Sequence, residues 1–299
     1  MPERVVALYG PTASGKTAIA TALAERLEGE VVSADSAALY AGIPILTAAP
    51  SYPARLVGCV PLDREVSVGE YGVLAHEAID EILDAGRTPV VAGGTGLYLR
   101  AALVELDLPP APEPGARERW SSVYDELGAD RAHELLAGRD PTAAARIHPN
   151  DRRRVVRALE LVEVGASLAP AEDRLWGEGF RHPTLLVGLD LPLEKLDERI
   201  EARVRAMLEQ GAVDEARVAW AGRLSATARK VLGLEELATL SEAQASEAIV
   251  VATRRLARYQ RKWLRRLPVT ATLDADRPPE RVADEIVAMA GAGERLPRS

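Results

Sequence analysis

The stretch VVALYGPTASGKT, residues 5–17, decides the fold. Five apolar residues in a row, Val5 to Tyr9, fit a strand buried on both faces. Gly10 to Thr17 then read G-x-x-x-x-G-K-T, and Ile19, Leu23 and Leu27 follow at i, i+4 and i+8, one face of a helix. A glycine-rich loop between strand and helix can wrap a phosphate. Its backbone N–H groups, from Gly10 through Thr12, Ala13, Ser14 and Gly15, point inward, and the helix N-terminus adds a positive dipole end. Lys16 supplies a point charge, and the Thr17 hydroxyl is placed to ligate Mg²⁺. A nucleoside triphosphate fits such a loop, and so does any diphosphate.

Outward from this loop the alternation continues. Glu30–Ser33 reads as a second strand, Tyr71–Leu83 as a helix and Thr88–Ala92 as a third strand. Four prolines and a glycine within 108–115 break the pattern. Residues 117–165 read as helical throughout, a second break falls at 177–183, and Leu185–Leu189 is again a buried-strand run. The expected architecture is α/β: a P-loop NTPase-like core with a parallel sheet, plus a mostly helical insertion. The boundaries are 1–112 for the first part of the core, 113–181 for the insertion and 182–299 for the rest.

The chain has 299 residues, 47% of them hydrophobic and 27% charged, which excludes disorder and leaves room for a sizeable core. No apolar run is long enough for a membrane span, and the N-terminus lacks a signal-peptide pattern. The single cysteine, Cys59, excludes an internal disulfide framework. A cytoplasmic monomer is the expectation. A net charge of −8 is not that of a generic nucleic-acid binder, so any polyanion must meet a local patch.

Two such patches exist. Arg254 to Arg266 holds seven basic residues and no acidic one, and on a helix Arg254, Arg258, Arg261 and Arg265 fall on one side. Leu256, Tyr259, Trp263 and Leu267 fall opposite and are expected to pack. A second basic helix begins after Asn150-Asp151 with Arg152, Arg153 and Arg154 and continues through Arg157, its apolar face being Val155, Val156, Leu159 and Val162. Each stripe can bind a phosphate backbone or pair with nearby carboxylates. Beyond the second strand, Asp35 in Ser33-Ala34-Asp35-Ser36 can be a metal ligand, a general base or the N-cap of a following helix. Gly93-Gly94-Thr95-Gly96 is either a close-approach turn beside a ligand, with the Thr95 hydroxyl available, or a tight turn without chemistry.

Together these segments resemble the tRNA dimethylallyltransferase (tRNA isopentenyltransferase) family. The matching stretches are GPTASGKT at 10–17, SADSAALYAGIPILTAAP at 33–50, GGTGLYLRAAL at 93–103, ARIHPNDRRRVVRALEL at 145–161 and ATRRLARYQRKWLRRL at 252–267. They lie in the family's order and span nearly the whole chain. The resemblance implies transfer of a dimethylallyl group from dimethylallyl diphosphate to N6 of adenosine 37, beside the tRNA anticodon. It makes the loop a holder of the donor's diphosphate rather than of ATP. Asp35 matches the general base, Thr95 a threonine near the diphosphate oxygen, and Arg203 the diphosphate arginine. Ser36 and the two arginine helices would contact the anticodon stem-loop. The acceptor adenine would flip out of its stack, and the insertion would close over the RNA.

The chain departs from the family pattern in places. Leu46-Thr47-Ala48-Ala49-Pro50 lacks the basic residue of G-T-x-K-P. Ala54 replaces a histidine, Gly58 an aspartate and Tyr259 an arginine, and 231–236 reads VLGLEE where the family has A-I-G-Y-K/R-E/Q. These changes bear on tRNA choice and rate more than on diphosphate chemistry. Other readings are a prenyltransferase acting on free AMP or ATP, a P-loop kinase of a nucleotide or small molecule, and a non-catalytic tRNA-binding relative.

Overall fold

A computed structural model of the chain describes residues 4–50, 52–105, 110, 112–169 and 179–292. Both expected breaks, at 108–115 and 177–183, lie partly outside these residues. The elements run β1 Val5–Tyr9, α1 Lys16–Arg26, β2 Glu30–Ser33, α2 Pro44–Thr47, β3 Ala54–Arg55, α3 Val68–Asp84, β4 Pro89–Gly93 and α4 Gly96–Leu103. Four helices follow: α5 Ala116–Leu127, α6 Ala129–Arg139, α7 Pro141–Ala144 and α8 Arg152–Glu163. The chain continues with β5 Thr184–Asp190, α9 Leu193–Glu209, α10 Ala212–Ala221, α11 Leu234–Thr239, α12 Glu242–Leu264, β6 Ala271–Asp274 and α13 Pro279–Ala292.

The six strands form one sheet in the order β3-β2-β4-β1-β5-β6, and every neighbouring pair is parallel. β1 sits inside it, with Tyr9 in register with Gly93 on one side and Gly188 on the other. Alternation along β1 divides the core. Val5, Ala7 and Tyr9 join the apolar cluster that includes Tyr71, Leu99, Leu234 and Ile249; Val6 and Leu8 join Ile19, Leu23, Val282 and Ile286. Helices therefore cover both faces, which is why β1 reads as a continuous apolar run. The sheet places the loops after β1, β2 and β4 at one edge, where ligands of open α/β sheets bind.

The chain divides into two compact units, one of residues 1–106 and 175–299, the other of residues 107–174. Arg181, at the end of the expected insertion, is anchored in the α/β unit. Its N–H donates to the Leu103 carbonyl at 2.9 Å, and its guanidinium pairs with Asp80 at 2.9 Å. The helical unit has its own core, in which Trp120, Leu136, Val155, Val156 and Leu159 are buried together. Asp151 caps α8, accepting from the Arg154 N–H at 3.2 Å.

The glycines of the turn after β4 serve close packing. A Cβ on Gly93 would stand 2.2 Å from the Ala34 carbonyl oxygen, one on Gly94 2.6 Å from Gln260 Nε2, and one on Gly96 2.1 Å from the Trp263 ring. The turn is thus where α12 presses against the sheet. Gly96→Ala is expected to overpack this contact and to cost about 1–3 kcal/mol of stability, read as a lower denaturant midpoint at unchanged slope.

Candidate active site

The site grows from the loop after β1. Gly15 has φ +88°, where only glycine is unstrained, and Ala13 is also left-handed at φ +63°. Gly10 is packed so closely that a Cβ would meet the Leu189 carbonyl at 2.8 Å. Ser14 is fully buried beneath the loop, and its hydroxyl makes no hydrogen bond among the described residues. The loop borders a cavity of about 350 Å³, lined by Thr12, Ala13, Gly15, Lys16 and Thr17 from its own residues and by Asp35 and Arg203 from elsewhere. Seven of the expected site residues are thereby brought together. Ser36 and Thr95 lie outside the lining; Thr95 is the N-cap residue of α4, with no side-chain capping bond.

The electrostatics suit an anion. Lys16 Nζ donates to the Pro11 carbonyl at 2.7 Å. Loss of water around the ammonium lowers its pKa from 10.5 to about 8, against the pull of Asp35 and with the push of Arg203. Burial also pulls the Arg203 guanidinium down from its ordinary range, and Asp35 opposes this. Arg203 Nη1 donates to the Thr12 hydroxyl at 3.2 Å, which fixes the guanidinium over the loop.

No helix begins at Asp35, so the capping role falls away. Residues 36–39 form a turn, and Asp35 Oδ1 accepts from the Ala37 N–H at 2.9 Å. The carboxylate is held at the end of β2 inside the cavity wall. Behind it, Tyr71 donates to the Ser33 carbonyl at 3.0 Å, and its ring centroid lies 4.6 Å from that of Tyr98, the two rings tilted by 43°.

Two lining residues carried no signal in the sequence. Gln260, 5% exposed, uses Oε1 to accept from the Thr12 N–H at 2.7 Å, while its own carbonyl accepts from the Tyr9 hydroxyl at 3.0 Å. Arg199 lines the cavity and donates to Asp276 at 2.8 Å. The altered segment at 46–50 contributes Thr47, Ala48 and Pro50 to the wall. It is held by Glu215, whose carboxylate accepts from the Ile45 and Leu46 N–H groups at 2.9 and 2.8 Å.

Three arginines of the α12 stripe pair with nearby carboxylates, one of the two readings the sequence leaves open. Arg258 pairs with Asp197 at 3.1 Å, Arg261 with Asp190 at 2.8 Å, and Arg254 with both Glu201 and Asp197. Helix α9 serves two neighbours at once. Asp197 and Glu201, four apart, meet α12; Arg199 and Arg203, on the far side of the helix, meet the cavity. Arg265 is exposed and has no carboxylate partner among the described residues. Of the expected apolar face, Trp263 and Leu267 pack against the core and the other two residues do not. Thr253, Ala257, Gln260 and Leu264 are buried, while Leu256 and Tyr259 are 38% and 57% exposed. The packed face lies beside the arginines rather than opposite them, because Thr253 and Gln260 are polar yet inward. On α8, Arg152 is bidentate to Asp125 at 2.8 and 2.6 Å, and Arg157 shares the buried Glu160 with Arg117. Arg153 and Arg154 are exposed and lack a carboxylate partner among the described residues.

A parallel sheet, a phosphate loop and a cationic cavity that also holds a carboxylate define a P-loop α/β protein. The chain matches the family model described as IPP transferase over residues 38–267. It is 40% identical over 284 residues to a tRNA dimethylallyltransferase of Salinispora tropica, covering 91% of this chain and 88% of that relative. Among solved structures it is similar to the full-length tRNA isopentenylpyrophosphate transferase of Bacillus halodurans, at 30% identity and TM-score 0.70, covering 97% of this chain and 96% of the other. It shares its fold with a eukaryotic dimethylallyltransferase acting on tRNA, at 24% identity and TM-score 0.80, over 99% of this chain and 81% of that one. The chain belongs to the IPP transferase family.

Proposed function

We propose that this chain is a tRNA dimethylallyltransferase, moving a dimethylallyl group from dimethylallyl diphosphate to N6 of adenosine 37. One observation carries the chemistry: a carboxylate, Asp35, shares a cavity with a phosphate loop, Lys16 and Arg203. A phosphate loop with cations alone would hold a diphosphate. The carboxylate beside it gives a weakly nucleophilic exocyclic amine somewhere to send its proton.

In this reading the donor's diphosphate lies in the loop, against Lys16 and the Arg203 guanidinium. The C1–O bond breaks as the N6–C1 bond forms, the N6 proton passes to Asp35, and the diphosphate leaves with the bonding electrons. Preplaced cations favour this step because they face charge that develops on the leaving group. Among the described residues no group of three or more His, Cys, Asp or Glu gathers into a metal cage. Mg²⁺ retains several waters and takes phosphate oxygens, so it needs no such cage, and the exposed Thr17 hydroxyl at the loop's end is a fitting single protein ligand. When bound there the ion would neutralise the leaving diphosphate. The Arg153 and Arg154 face of α8 is assigned to the RNA backbone. Among the described residues no helix is long and apolar enough to cross a membrane.

One incubation tests the proposal. Protein, Mg²⁺, dimethylallyl diphosphate and unmodified tRNA carrying A36-A37-A38 are combined, with AMP and ATP as parallel acceptors, and the nucleosides are weighed. An adenosine heavier by one C5H8 unit at position 37 is expected. Transfer confined to AMP or ATP would replace the acceptor in this reading with a free nucleotide.

A further inference from the structure

Helix α12 turns three faces to its surroundings. Ile249, Thr253, Ala257, Gln260 and Leu264 are buried. Arg254, Arg258 and Arg261 line a flank where each meets a carboxylate from α9 or the end of β5. The outermost face carries Arg255, Tyr259 and Lys262, at i, i+4 and i+7, hence one stripe. Tyr259 is 57% exposed. Arg255 and Lys262 are exposed, and neither has a carboxylate partner among the described residues, although the chain's 45 acidic residues outnumber its 37 basic ones.

The position of this stripe is fixed relative to the site. Tyr259 directly precedes Gln260, whose side chain accepts from the phosphate loop at 2.7 Å and lines the cavity. Successive helical residues are about 100° apart, so the ring stands a little over a quarter turn around α12 from the side chain that lines the cavity. A large aromatic ring left in water between two unpaired cations offers a π-face for stacking, with a positive charge one turn away on either side. That is the surface a single-stranded nucleotide fits: its base on the ring, its phosphates on the cations.

We propose that Arg255, Tyr259 and Lys262 form a stacking platform for one unpaired nucleotide of the RNA acceptor, a near neighbour of the adenosine that enters the cavity. The platform rests on the RNA-acceptor reading above. It moves the RNA contact of α12 from the ion-paired flank of Arg254, Arg258 and Arg261 to the outer face. It also gives a use to the tyrosine that stands where the family has arginine: a basic residue there can hold a phosphate, but a tyrosine can hold a base.

The test is an abasic scan of an anticodon stem-loop RNA, with affinity measured for the wild-type chain, Tyr259→Ala and Tyr259→Phe. Tyr259→Ala should weaken binding about tenfold, the scale of one stacked base, and Tyr259→Phe should bind as the wild type does. At one loop position the abasic RNA should weaken wild-type binding by a similar factor and weaken Tyr259→Ala no further, the signature of direct coupling. The double variant Arg255→Ala with Lys262→Ala should make the slope of log affinity against log salt shallower by about 1.4, two single-strand phosphate contacts. Unchanged affinity of Tyr259→Ala, or equal losses for both proteins at every abasic position, would overturn the platform. If the wild-type chain binds no RNA, the platform and the acceptor reading fall together. If it binds and prenylates RNA while Tyr259→Ala binds as tightly, the platform alone falls.

Discussion

Asp35→Asn is expected to lower the single-turnover rate of prenyl transfer by about 10²–10⁴-fold, the range for removing a general base. The amide is the informative replacement. Its oxygen can still accept from the Ala37 N–H, as Asp35 Oδ1 does at 2.9 Å, so the turn after β2 persists while the proton acceptor is lost. Asp35→Ala removes both and should transfer no faster. Diphosphate binding should survive in both variants, because Lys16, Arg203 and the loop amides are untouched; calorimetry with the donor checks this. A rate for Asp35→Asn equal to that of the wild type would remove Asp35 as the base.

The second large effect concerns Lys16. Its pKa lies near 8, displaced from 10.5 chiefly by loss of water, so the free protein carries the ammonium below that pH and the neutral amine above it. A bound diphosphate favours the ammonium. Donor affinity should therefore be pH-insensitive at this group well below 8 and should fall as pH rises through 8, with a proton taken up on binding in the upper range. Lys16→Met should weaken donor binding by about 10–100-fold at neutral pH, the scale of a charge-assisted hydrogen bond, and should flatten the profile above 8. Affinity for inorganic diphosphate, measured by calorimetry in buffers of different ionisation enthalpy, reads both quantities. A variant profile that still fell through pH 8 would assign the titration to another group.

How much of this was legible in the sequence depended on distance along the chain. The phosphate loop is contiguous, and its chemistry follows from local geometry, so Gly10 to Thr17 could be placed at once. The strands of the centre, β1, β2, β4 and β5, are apolar because helices cover both faces, and they announced themselves. β3 has two residues and β6 has four, with Asp274 and exposed Thr272 among them, too short and too polar to stand out. Gln260 arrives at the loop from 248 positions away and looks like any helical glutamine until Thr12 is beside it. On α12, Trp263 and Leu267 of the expected apolar face do pack, but Leu256 and Tyr259 do not, and the buried face includes Thr253 and Gln260, polar side chains kept inward by contacts the sequence does not display. The arginine flank shows the reverse case. Its partners Asp190, Asp197 and Glu201 lie on another element, and only the fold reveals that the repulsion among the arginines is already relieved.

The strand order bears on how the protein is made. β1 ends at residue 9, yet one of its two neighbours, β5, starts at residue 184. At about 5–20 residues per second, a ribosome would need roughly 9–35 s to deliver that partner after β1 is translated. Throughout that interval one edge of the central strand lacks its mate. The helical unit of 107–174 is translated within the same interval, and its contacts are local, between α5, α6, α7 and α8. Short-range contacts form quickly, whereas parallel pairing between distant strands is slow. The growing chain should therefore carry a finished helical body while its sheet is still open, and nascent-chain aggregation should peak before residue 190 emerges.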